Sequence, residues 1–104
     1  RSRGVTLATR RGSPIVAPAS GTILFAGPFR GYDGVVIIDH GRGWRSVLVN
    51  VGSTAAKGSK VGIGERLGTA LGPVEVQLQH RGTPVSAAII AGSSALLSKA
   101  RQSG

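Results

Sequence analysis

Val74-Glu75-Val76-Gln77-Leu78-Gln79-His80-Arg81-Gly82-Thr83-Pro84-Val85 alternates apolar and polar side chains from Val74 to His80, then turns through Gly82 and Pro84. A period of two marks a strand. Side chains at even separation share a face, so Glu75, Gln77 and Gln79 line up on one side and His80 falls on the other. Upstream, Val35 to Asp39 is a continuous β-branched run, the pattern of a central strand buried on both faces. Trp44 to Val51 pairs back onto it across Gly41-Arg42-Gly43, whose glycines permit positive φ.

The same reading places a strand from Thr22 to Phe29, with Thr22, Leu24 and Ala26 on one face and Ile23, Phe25 and Gly27 on the other. Shorter strands are expected at Val5 to Leu7, Ile15 to Ala17, Lys60-Val61 and Leu67 to Ala70. Together they predict an all-β domain, a compact antiparallel twisted sheet of about eight short strands. Residues 1–85 form that domain, and 86–104 form a tail that is either one helix interrupted near Gly92 or frayed.

Composition bounds the function. The 104 residues supply one small domain and one core. Seventeen glycines and five prolines punctuate short Val/Ile/Leu runs and are not massed in one tract, which argues for frequent turns and against disorder. Thirteen Lys and Arg against four Asp and Glu give a formal charge of +9 and a long-range preference for anionic partners. A nucleic-acid platform is disfavoured, because Phe25, Phe29, Tyr32 and Trp44 are the only aromatics and stacking surfaces expose several together. No cysteine is present, so there is no disulfide or thiol chemistry. No apolar stretch approaches the roughly 20 residues needed to span a bilayer.

The glycine framework carries a family resemblance. Gly12-Ser13-Pro14-Ile15-Val16-Ala17-Pro18-Ala19-Ser20-Gly21-Thr22-Ile23 is similar to the pattern Gly-x-Pro-Val-x-Ala-x-x-x-Gly-x-Val of the lysostaphin/LytM-type zinc peptidases. Gly31-Tyr32-Asp33-Gly34-Val35-Val36-Ile37-Ile38-Asp39-His40-Gly41 resembles their Gly-Tyr-Gly-x-x-Val-x-Ile-x-His-Gly, and Val61 to Gly68 resembles their Val-x-x-Gly-x-x-Ile-Gly. The resemblance runs from about Arg1 to Val85 and implies the peptidase's twisted sheet, or barrel-sandwich, with a groove.

The resemblance also locates the places where such peptidases hold zinc. Ser2 and Thr6 stand at the ligand positions of the opening His-x-Gly-x-Asp, Asn50 at the catalytic histidine, and Pro73 and Glu75 at the two histidines of His-x-His. Zinc catalysis needs three ligands from His, Cys, Asp or Glu and an open position for water. The chain therefore reads as a degenerate, non-enzymatic member with no cofactor. His40, in the His-Gly turn, is structural in the family, and His80 is expected at the surface.

Within this family the chain looks most like the EnvC/NlpD-type activators of cell-wall amidases, in which a vacant groove binds the partner and the partner cuts. That resemblance implies a periplasmic, Gram-negative setting during septal peptidoglycan splitting. The partners it implies are an N-acetylmuramyl-L-alanine amidase, peptidoglycan, and division machinery acting through an upstream coiled coil. Arg3, Thr6, Tyr32, Asn50, Glu75 and Gln79 are the expected partner-binding residues, because they match ligand places or their neighbours. Glu75 stands where activators often carry an aromatic, and Gln79 where they often carry Arg. On alternation alone, Asn50 and Gln77 read equally well as solvent-facing strand positions. Two other readings remain beside the activator: a peptidoglycan-binding module, and an active zinc endopeptidase with a displaced ligand set.

Overall fold

The computed structural model describes residues 5–85, all strand, turn and loop. Ser2, Arg3 and the tail, with its helix-or-frayed alternatives, lie outside the described residues. The strands are β1 (Val5–Leu7), β2 (Pro14–Val16), β3 (Gly21–Phe29), β4 (Tyr32–Gly41), β5 (Trp44–Ser53), β6 (Lys60–Val61), β7 (Arg66–His80) and β8 (Thr83–Pro84). They form one antiparallel sheet in the order β1-β7-β5-β4-β3-β6, with β2 and β8 also paired to β7.

β7 departs from expectation: the strands read as Leu67 to Ala70 and Val74 to His80 are one continuous element. Gly72 and Pro73 read as a break because neither favours a strand interior. The backbone instead runs through them with Gly72 at φ 153, a conformation that side-chain-bearing residues rarely adopt. On the neighbouring β5, the pairing passes from Val49↔Glu75 to Val51↔Ala70, so the single residue Asn50, at φ 81, stands against a bulge of four β7 residues, Leu71 to Val74. The two irregularities face each other, so the first half of β7 pairs with β2 and with Val51 to Ser53, and the second half with β1 and with Trp44 to Val49.

The left-handed Asn50 switches the sides of β5. Leu48 and Val51, an odd number of residues apart, both enter the core. A second bulge corrects the reading of β3. Ile23 pairs with Ile38 but Phe25 pairs with Ile37, so Leu24 is the extra residue and Ile23 and Phe25 face opposite sides. Ile23 is fully buried, and Ala26 packs on the same core.

The core consists of Ile15, Ala17, Ile23, Val36, Ile38, Leu48, Val51, Val61, Leu67, Ala70 and Val74, contributed by nearly every strand. Val35 is also buried but belongs to the opposite face, where it pairs with Val49. The expectation that β4 is covered on both sides holds at Val35, Val36 and Ile38, whereas Ile37 stays half-exposed.

Candidate functional site

The sheet face opposite the core is assembled from cross-strand registers. Thr6 on β1 lies directly across from Glu75 on β7, Glu75 across from Val49 on β5, and Val49 across from Val35 on β4. A second row runs Gln77, Val47, Ile37 and Phe25, and a third runs Gln79, Arg45, Asp39 and Thr22. Directly opposed residues in an antiparallel pair share a face, so these rows form one surface. Its β7 column is polar, its β5 column is aliphatic until Arg45, and most of its side chains are half-buried or exposed.

Asn50 sits at the first row's edge. Its side-chain amide donates to the Pro73 carbonyl at 3.0 Å, which ties β5 to the bulge of β7. Thr9 closes the same region from the other side, donating through its hydroxyl to the Gly72 carbonyl at 2.8 Å. Further along the face, Gln79 Nε2 donates to Gln77 Oε1 at 2.8 Å, so the two amides orient each other.

Both histidines are committed to structure. His40 Nδ1 donates to the Ser20 carbonyl at 2.8 Å, since a carbonyl can only accept. Nε2 of the neutral ring then accepts from the Ser46 hydroxyl at 2.7 Å, satisfying a serine that is 3% exposed. His80 is not a free surface residue: it is half-buried and stacks on Trp44 with ring centroids 4.2 Å apart, on the side of the sheet away from Glu75. Among the described residues, no three His, Cys, Asp or Glu side chains stand close enough to share a metal ion.

Of the residues singled out from sequence, the fold thus brings Thr6, Asn50, Pro73 and Glu75 together at one end of the open face. Gln79 shares the face but lies four residues along β7 from Glu75, roughly 13 Å at the strand rise. Tyr32 is 53% exposed at the β3–β4 hairpin, beyond Val35 and past the first row. Arg45, Val47 and Val49 belong to the face and were not singled out, because only the register with β7 places them beside the polar column.

Residues 1–80 match the profile of Peptidase family M23. An uncharacterized metalloprotease of Haemophilus influenzae is 32% identical over 79 residues, 68% of this chain and 17% of that protein. The chain therefore spans less than a fifth of the length of this curated relative. Among solved structures, an M23 peptidase from Pseudomonas aeruginosa superposes with a TM-score of 0.77 at 28% identity, covering 88% of this chain and 44% of that one. Csd3 of Helicobacter pylori gives a TM-score of 0.72 at 29% identity, covering 81% and 25%. Lysostaphin, at 19% identity and a TM-score of 0.69 over 76% of this chain and 36% of its own, shares the fold.

Proposed function

The chain belongs to peptidase family M23, and we propose that it is a non-catalytic member that docks a periplasmic N-acetylmuramyl-L-alanine amidase on its open face and stimulates it. The observation that carries this reading is the donor set around Thr6 and Glu75. Of the four described residues at the family's ligand and catalytic places, Glu75 alone offers an anionic ligand. Thr6 opposes it with a hydroxyl, Pro73 has no side-chain donor, and the Asn50 amide is spent on the Pro73 carbonyl. Zinc held by three protein ligands does not fit these residues, and no hydrolytic step is assigned to them.

What remains is a recognition surface. Amides at Gln77 and Gln79 beside aliphatic Val47 and Val49 give the mix of orienting polar groups and apolar contact found in protein interfaces. The periplasmic setting, the division machinery and an upstream coiled coil come with the EnvC-type resemblance. No helix among the described residues is long and apolar enough to cross a membrane.

The test is dye release from labelled peptidoglycan. The domain alone releases nothing, amidase plus domain releases faster than amidase alone, and Glu75→Lys weakens the stimulation. Loss of an interface anchor costs about 2 kcal/mol, some thirtyfold in affinity. Zinc-dependent release by the domain alone overturns the reading. Retention on peptidoglycan without amidase stimulation replaces it with a peptidoglycan-binding module, for which the Gln77–Gln79 amide pair is a suitable lining.

A further inference from the structure

Three hairpins turn on an Arg-Gly pair. Arg30, Arg42 and Arg81 have φ of 49°, 55° and 52°, and Gly31, Gly43 and Gly82 follow at 86°, 83° and 83°. A two-residue turn with both φ positive prefers Asn, Asp or Gly at its first position, because the left-handed conformation is uncommon for longer side chains. At Arg30 the guanidinium lies over the Phe29 ring, 5.2 Å from its centroid, whereas Arg42 and Arg81 bring no preference for the turn conformation. What each contributes is a guanidinium at the hairpin tip.

Two of these tips abut. Trp44 and His80 are cross-strand partners with stacked rings, and the Arg81 N–H donates to the Gly43 carbonyl at 2.7 Å. One position beyond Trp44, Arg45 lies on the open face in the row of Gln79 and Asp39. Arg42, Arg45 and Arg81 are all exposed, and all stand at the end of the open face remote from Glu75. Asp39 is the one carboxylate in that row, and its Oδ1 already accepts from the Gly41 N–H at 2.9 Å. Three guanidinium groups against one engaged carboxylate leave this end positive.

Resting on the reading that the open face docks a protein, we infer that its Arg42, Arg45 and Arg81 end receives an acidic polypeptide segment of that partner. The segment's carboxylates lie over these arginines, and the Glu75 carboxylate in the first row offers them no partner. Guanidinium groups pair with carboxylates through paired, directional hydrogen bonds. The adjoining amides and valines continue the contact along a peptide chain. A bilayer is the poorer occupant, because membrane-surface binding adds apolar side chains to the basic ones. Among the described residues, the exposed large apolar side chains are Phe29, Tyr32 and Ile63, and none lies on these two tips.

The experiment measures anisotropy of a fluorescein-labelled peptide of Glu and Leu, with a Lys-for-Glu control, against the 104-residue chain at low and physiological salt. Phosphatidylglycerol vesicles are sedimented in parallel. The variant is R42N/R45Q/R81N, in which Asn suits the left-handed turn positions and keeps the hairpins. The parent is expected to bind the acidic peptide and not the control. The variant keeps the parent's Tm or exceeds it and binds about tenfold more weakly, as expected for three exposed ion pairs.

Equal peptide binding by parent and variant overturns the inference, and so does binding to vesicles without binding to peptide. The amidase assay separates this inference from the reading it rests on. A parent that binds the peptide through these arginines but does not stimulate the amidase refutes the amidase reading and leaves the acidic-segment surface standing. Equal stimulation by parent and variant leaves the amidase reading standing and refutes the surface.

Discussion

The Asn50 side-chain amide donates to the Pro73 carbonyl at 3.0 Å, joining one strand to the bulge of its neighbour at a residue that itself adopts φ 81. Asn50 is therefore part of the scaffold as well as of the open face. Asn50→Ala removes the bond and leaves a side chain in the left-handed region without asparagine's local preference for it, a combined cost of about 1–3 kcal/mol. Asn50→Gly accepts the backbone conformation but not the bond, and loses less. Urea denaturation of the two variants measures the order.

Zinc content follows from the donor set. Protein purified without chelator is expected to carry well under one equivalent of zinc by elemental analysis. The cross-strand pairing of Thr6 with Glu75 gives the converse experiment, because directly opposed Cβ atoms lie about 4.5–5.5 Å apart, close enough for two side chains to share an ion. S2H/T6D/E75H is expected to gain tight zinc binding that the parent lacks. One equivalent in the parent would refute the non-catalytic reading.

His40 holds two strands and a loop at once through Ser46 and Ser20. His40→Ala leaves the buried Ser46 hydroxyl without a partner, which costs about 1–3 kcal/mol. The double variant H40A/S46A removes both ends of the bond and should recover part of that loss. Chemical denaturation of the three proteins tests the coupling.

Leu48 is 2% exposed at the centre of the sheet, and Leu48→Ala is expected to cost about 2–5 kcal/mol. Gly34 is constrained differently, since a Cβ there would collide with the Val51 carbonyl oxygen. A backbone atom held in the sheet cannot move aside, so Gly34→Ala is expected to lower Tm even though it adds a single methyl. A Gly34→Ala protein as stable as the parent would refute the close approach of β4 to β5 at this point.

The sequence by itself determined the fold class and nearly every strand. Alternation from Val74 to His80, the β-branched run Val35 to Asp39 and the glycine-bounded turns are local signals, and each is read within a few residues of chain. The residues at the places the family resemblance assigns to ligands were also legible, because a proline or a threonine announces its chemistry wherever it folds. Only the tertiary structure decided which of those residues meet. The bulge at Leu24 and the left-handed Asn50 each shift the face of everything beyond them, and β7 passes through Gly72 and Pro73 as a four-residue bulge against Asn50 alone. A bulge is set by pairing with a partner strand, so period-two reading of β3 alone put Phe25 on the wrong side. The same holds for Arg45, an ordinary exposed residue in its own strand. It joins the polar column of the open face because β7 lies beside it in register, with Gln79 across from Arg45 and Glu75 across from Val49.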